Sequence, residues 1–150
     1  MLHIETIVVT PFQQNARVIQ DLSNQKGIIV DPGGDTEKIL AKIQNLEIEA
    51  IWLTHSHIDH IGGLKTLVKE LNQNEVAIYG SEKEKWMRDN LVLQAQMLGV
   101  PSHDLSNLPA ITHCWEQENS SISALGREWN ILFTPGHSPG HYSFFTESCP

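Results

Sequence analysis

Cysteine is scarce in this chain. Cys114 and Cys149 are its only two thiols, too few for the disulfide framework of a small secreted domain. Positive charge is also short, with 10 Lys and Arg against 18 Asp and Glu and a net charge of −8. No basic stripe forms anywhere, and the trio Lys83, Lys85 and Arg88 fits the solvated face of a helix. Nucleic acid and anionic membrane surfaces are therefore not expected partners. No apolar run approaches the ~18 residues of a membrane span. The first six residues lack the basic and apolar regions of a secretory signal, so a soluble, reducing cytoplasm is the expected setting. What is present fits one domain over residues 1–150: 40% hydrophobic and 19% charged residues can bury a core.

Short segments rich in β-branched and aromatic residues predict strands at 4–9, 16–20, 27–30, 50–53, 76–79, 128–133 and 142–145. The first three are closely spaced and read as an antiparallel meander turning at Ser23-Asn24-Gln25. Helical spacing of Ile39, Leu40, Ile43 and Leu46 predicts a helix over 36–46, with Asp35 or Thr36 as its cap. Leu64, Leu67, Val68 and Leu71 predict a second over 64–71. Ser81-Glu82-Lys83-Glu84 reads as a capping box opening a third helix to about Leu98, where Gly99 and Pro101 stop it. The order predicts an α/β layered domain with helices covering a mixed sheet. From 99 to 111 the chain is loop-like, either a flap over a site or a plain surface connection. The tryptophans 52, 86, 115 and 129 are expected in or half within the core.

The chemistry concentrates in Thr54-His55-Ser56-His57-Ile58-Asp59-His60, directly after an apolar strand. Neutral imidazole and carboxylate are ligands for Zn²⁺, Fe and Mn. At this chain's own His and Asp frequencies, such a string arises by chance in about one sequence in a thousand. If the segment is extended, alternation places His55, His57 and Asp59 on one side, with His60 following as the chain turns through Gly62-Gly63. A second cluster, Thr134-Pro135-Gly136-His137-Ser138-Pro139-Gly140-His141, again follows a strand. His137 is the natural third nitrogen of a three-ligand site, and His141 fits a supporting role. In Val30-Asp31-Pro32-Gly33-Gly34-Asp35, Asp31 either orients a ligand histidine or caps the Pro-Gly turn. His3, His103 and His113 have no motif around them. His113 beside Cys114 makes no thiol–imidazole pair, because strand neighbours face opposite ways.

Together, the Thr54–His60 string, the Thr134–His141 string and Asp31-Pro32-Gly33-Gly34 resemble the metallo-β-lactamase superfamily. Within it they look most like the small glyoxalase II-like hydrolases, over essentially the whole chain. The resemblance implies an αββα sandwich with a dinuclear metal site between the edges of its two sheets. It implies Zn²⁺, one or two ions, with Fe or Mn as alternatives. His55, His57 and His137 would hold the first ion, and Asp59 and His60 would contribute to the second. The implied reaction is attack of a metal-bound hydroxide on a thioester or ester carbonyl such as that of S-lactoylglutathione, with Asp59 also orienting the hydroxide. The family's pattern continues with a bridging Asp and a further His beyond Pro150. The expectation is therefore a fold incomplete at its C-terminal end, without the family's basic helical domain for glutathione. Two other readings share these motifs: a mononuclear Fe(II) persulfide dioxygenase, and a metal-binding or interaction module without activity. An unfinished sheet would expose an edge, so self-association is expected. Light scattering from a compact monomer at every concentration would contradict that.

Overall fold

The computed structural model describes residues 1–73, 75–115 and 119–147; Cys149 lies outside them. A six-stranded mixed sheet is built from β1 (Leu2–Val9), β2 (Gln14–Asp21), β3 (Lys26–Val30), β4 (Glu47–Trp52), β5 (Ala77–Gly80) and β6 (His113–Cys114), in that spatial order. The first three form the antiparallel meander; from β3 onward every pairing is parallel. A second sheet of three antiparallel strands holds β7 (Ser120–Ala124), β8 (Arg127–Phe133) and β9 (Tyr142–Phe145).

Helices α1 (Thr36–Lys42), α2 (Ile58–Ile61), α3 (Leu64–Leu71), α4 (Lys85–Asp89) and α5 (Leu91–Leu98) supply the remaining layer. Ile39, Ile61, Leu64, Leu67 and Leu91 pack with Val18, Ile29 and Ile51 of the large sheet. The opposite face, through Ile28, Ala50 and Trp52, packs on Trp129, Ile131 and Tyr142 of the small sheet. The architecture is helices on sheet on sheet among the described residues, in agreement with the expected α/β sandwich. A register shift against Gly27 and Ile28 leaves Glu49 as an extra residue in β4. That bulge explains why Ile48 shares a face with Ile51 and Leu53 instead of with Ala50.

Trp52 anchors the space between the sheets, fully buried, with ring centroids 5.2 Å from Trp129 and 6.0 Å from Trp115 in edge-on contacts. The Trp115 indole N–H donates to the Leu53 carbonyl at 3.1 Å, and the Tyr142 hydroxyl donates to the Trp115 carbonyl at 2.6 Å. The Tyr142 N–H donates to the Thr54 carbonyl at 2.9 Å. The end of β4 and the start of β9, one from each sheet, are thereby joined where the first histidine cluster begins and the second ends. Trp86 departs from expectation: it is 65% exposed on α4, because that short helix buries none of its residues.

Candidate metal centre

Thr54 to His57 runs on from β4 without regular structure, and the helix begins at Ile58, with His57 in extended backbone at the N-cap position. Alternation therefore ends one residue past His57. Asp59 and His60 stand on the first turn of α2, so the expectation of Asp59 on one extended side with His55 and His57 is corrected. Space for that early turn is made by Gly33. A Cβ there would fall 1.6 Å from the Asp59 carbonyl oxygen, so the Pro-Gly-Gly turn can press against α2 only without a side chain.

Three of the expected ligands converge. His57 Nδ1 lies 3.1 Å from His55 Nε2 and 3.0 Å from His137 Nε2. A tetrahedral ion at about 2.0–2.1 Å from each nitrogen separates them by roughly 3.3 Å, so a slight expansion seats it. His55 is 2% exposed, whereas His137 is open to solvent. Asp31, His55 and His60 form a second group within 4.8 Å. Asp59 belongs to neither group; its Oδ2 lies 3.5 Å from His60 Nε2. His141 also stands outside both, with Nδ1 2.9 Å from Thr134 Oγ1.

Asp31 orients histidines. Its carboxylate accepts the Thr54 N–H at 2.8 Å, the Thr54 hydroxyl at 2.6 Å and His60 Nδ1 at 2.8 Å. Because Thr54 donates its single hydroxyl proton to Asp31, it must accept from His55 Nδ1, 2.9 Å away. That fixes the His55 tautomer and presents its Nε2 lone pair to the cluster. Asp35 stands at the N-cap of α1 as expected, but its carboxylate makes no cap bond and turns to the Thr10 N–H and to Lys38 Nζ.

Two residues that grip the His55–Ile58 loop carried no metal signal in the sequence. Gln94 of α5 accepts the Ile58 N–H at 3.0 Å and donates to the Ser56 carbonyl at 3.4 Å. Glu84, expected to close a capping box, sends its carboxylate to the N–H groups of Ser56 and Gly140; the Ser81 hydroxyl accepts from Lys83 N–H instead.

The electrostatics suit neutral donors. Burial, with the imidazoles of His60, His57, His141 and His137 adding, pushes His55 down to about 2. Burial and then His137 also lower His57, against Asp59 and Glu84. In His60, burial pulls downward but the Asp31 hydrogen bond and charge, with Asp59, raise it overall. Metal-free protein should accordingly weaken in mild acid. Above pH 6.5 His55 is neutral folded or unfolded. Below it the unfolded chain takes a proton that the folded site refuses, so stability falls by up to about 1.4 kcal/mol per pH unit. Urea unfolding of chelated protein at pH 7.5 and 5.5 measures this slope. His55→Gln should flatten it, and an unchanged slope would refute the assignment.

Two grooves flank these side chains. One of about 400 Å³ joins Asp59 to Thr10, Phe12, Val100 and His103, which puts the first part of the 99–111 loop beside the site. The other, of about 310 Å³, runs from His57 along Trp86, Leu93, Met97 and Leu98 and is mostly apolar. No helix among the described residues is long and apolar enough to cross a membrane.

Comparison with known proteins bears on the fold and the family. The chain is 38% identical over 146 residues to the hydroxyacylglutathione hydrolase GloC of Haemophilus influenzae, covering 95% of this chain and 66% of that protein. It thus spans just under two thirds of that relative's length. Among solved structures it is similar to the BLEG-1 B3 metallo-beta-lactamase, with TM-score 0.81, 28% identity and coverage of 97% of this chain and 68% of the other. TTHA1623 in a di-iron-bound form superposes with TM-score 0.75 and 29% identity, covering 94% and 66%. The sequence matches the metallo-beta-lactamase superfamily over residues 9–150. With the strand-end histidine clusters and the two-sheet core on the same residues, the chain belongs to the metallo-beta-lactamase superfamily.

Proposed function

We propose that the chain carries the metal centre of a hydrolase of thioester or ester carbonyls, of the glyoxalase II-like type, with Zn²⁺ as the ion and Fe or Mn as alternatives. The convergence of His55, His57 and His137 nitrogens in steps of 3.0 and 3.1 Å carries this reading. Similarity to a hydroxyacylglutathione hydrolase supports the substrate class. In this reading His55, His57 and His137 hold a first ion and Asp59 and His60 a second. Ions so held polarise a carbonyl and bring the pKa of water toward neutrality.

The chain's own residues do the rest. Asp59, its carboxylate partly exposed along the groove it shares with Thr10 and Phe12, orients the attacking water as well as contributing to the second ion. Asp31 keeps the His60 Nδ1 proton engaged, leaving Nε2 as the ligating atom. The exposure of His137 leaves the first cluster open to an incoming carbonyl. Protein purified without chelator should carry metal by elemental analysis and hydrolyse S-lactoylglutathione when Zn²⁺ is added. Chelation should remove the rate and Zn²⁺ should restore it; a rate indifferent to metal would overturn the proposal.

A second reading is a mononuclear Fe(II) persulfide dioxygenase, because three imidazoles with open positions also suit Fe(II); the relative solved in a di-iron-bound form supports iron as the metal and not the number of ions. Oxygen uptake with glutathione persulfide after Fe(II) loading distinguishes it, and absence of uptake removes it.

A further inference from the structure

We propose that Glu84 is a positioning residue that locks the two ligand-bearing loops into one first-metal site, an inference that rests on the metal-centre reading above. Glu84 is fully buried just after β5, away from either histidine cluster in sequence. Its Oε2 accepts the Ser56 N–H at 3.0 Å, and its Oε1 accepts the Gly140 N–H at 2.6 Å. Ser56 separates His55 from His57, and Gly140 lies three residues after His137. One carboxylate thus fixes the spacing of two backbones that belong to different sheets, and with it the 3.0 Å approach of His57 Nδ1 to His137 Nε2.

The chemistry selects a carboxylate. Two N–H donors on separate loops need two acceptor oxygens, whereas an amide offers one oxygen and turns an NH₂ toward the other donor. The approach is close enough to require a glycine opposite. A Cβ on Gly140 would stand 2.7 Å from Glu84 Cγ and 2.9 Å from its Oε1. With no exposed surface, Glu84 meets no substrate and acts only through the loops it holds.

Glu84→Gln tests this in the full chain. Zn²⁺ affinity is read by competition with a chromophoric chelator, site geometry by the visible spectrum of Co²⁺-loaded protein, and folding by the thermal midpoint without metal. The tightest ion should bind at least about 10-fold more weakly, with shifted Co²⁺ bands. Ile51→Val, a core variant that also lowers the thermal midpoint, should bind as the wild type does. Equal affinity and spectra in wild type and Glu84→Gln overturn the inference while the metal reading stands. A wild type that takes up no metal overturns both. Should Glu84→Gln not fold, hydrogen exchange of the metal-free wild type decides: Ser56 and Gly140 amides are expected to exchange slowly and together, and independent exchange refutes the tie.

Discussion

His57→Ala is expected to remove the first ion and lower thioester hydrolysis by about 10³-fold or more, with the fold intact. His57 Nδ1 is the nitrogen that both other imidazoles approach, at 3.1 Å from His55 and 3.0 Å from His137. Without it the remaining pair spans the site without a third donor, and the several kcal/mol that an ion contributes to a developing oxyanion are lost. Folding should survive because His57 serves α2 through its backbone. Its carbonyl accepts from His60 and Ile61, and its side chain makes no cap bond. A change in stability within about 1 kcal/mol is expected. Elemental analysis should find one ion fewer per chain than in the wild type. Equal hydrolysis rates in the two proteins would sink the ligand assignment. His141→Ala provides the contrast: bonded to Thr134 and outside both clusters, it should cost at most about 10-fold to 100-fold.

The elements that set this geometry were legible in the sequence where local pattern and tertiary role agree. The helix over 64–71 and the strand at 142–145 occur at those residues. The pattern misled where long-range partners prevail. Strand β7, Ser-Ser-Ile-Ser-Ala, has little strand propensity of its own. It forms because Leu125 and Gly126, at φ +51 and +66, make a two-residue turn onto β8. A leucine in the place where asparagine usually advertises such a turn concealed it; burial of Leu125 between the sheets is the compensation. Strand β6 pairs through only two residues, too few for any periodicity. The expected helix from 81 to 98 divides because Asn90 leaves the helical region and bonds back to the Trp86 carbonyl through its side chain. Glu84 is the sharpest case, since a Ser-x-x-Glu string is indistinguishable locally from a cap. Only the folded chain brings Ser56 and Gly140 to its carboxylate. The two histidine strings stood out in the sequence because strand ends and glycine turns present them locally, but the helix start at Ile58 set Asp59 apart from the three imidazoles.

Asp31→Asn should damage the site from below, and its cost should depend on pH. Asp31 accepts from Thr54 N–H, the Thr54 hydroxyl and His60 Nδ1 at 2.8, 2.6 and 2.8 Å. Asparagine keeps the size and tolerates the left-handed backbone there, φ +51. It retains one oxygen for the Thr54 N–H but turns an NH₂ toward the Thr54 hydroxyl and His60. The hydroxyl must then accept where it had donated, and His60 Nδ1–H faces a donor unless its proton moves to Nε2, at a cost of about 2–4 kcal/mol. The pH dependence follows from His60. Asp31 helps to raise its folded pKa above the ordinary 6.5 against burial, so the pair stabilises most below pH 6.5 and loses that contribution as pH rises through the folded value. The variant, with burial less opposed, should therefore lose more stability at pH 5.5 than at pH 8.5, and its His60 ring should titrate lower. Urea unfolding of metal-free protein at both pH values, with ring titration by NMR, measures both effects. Metal affinity should fall 10-fold to 100-fold as the His55 tautomer and the His60 orientation are released together. Equal losses at the two pH values and an unmoved His60 titration would mean that Asp31 merely fills the turn after β3 and leaves the histidines to orient themselves.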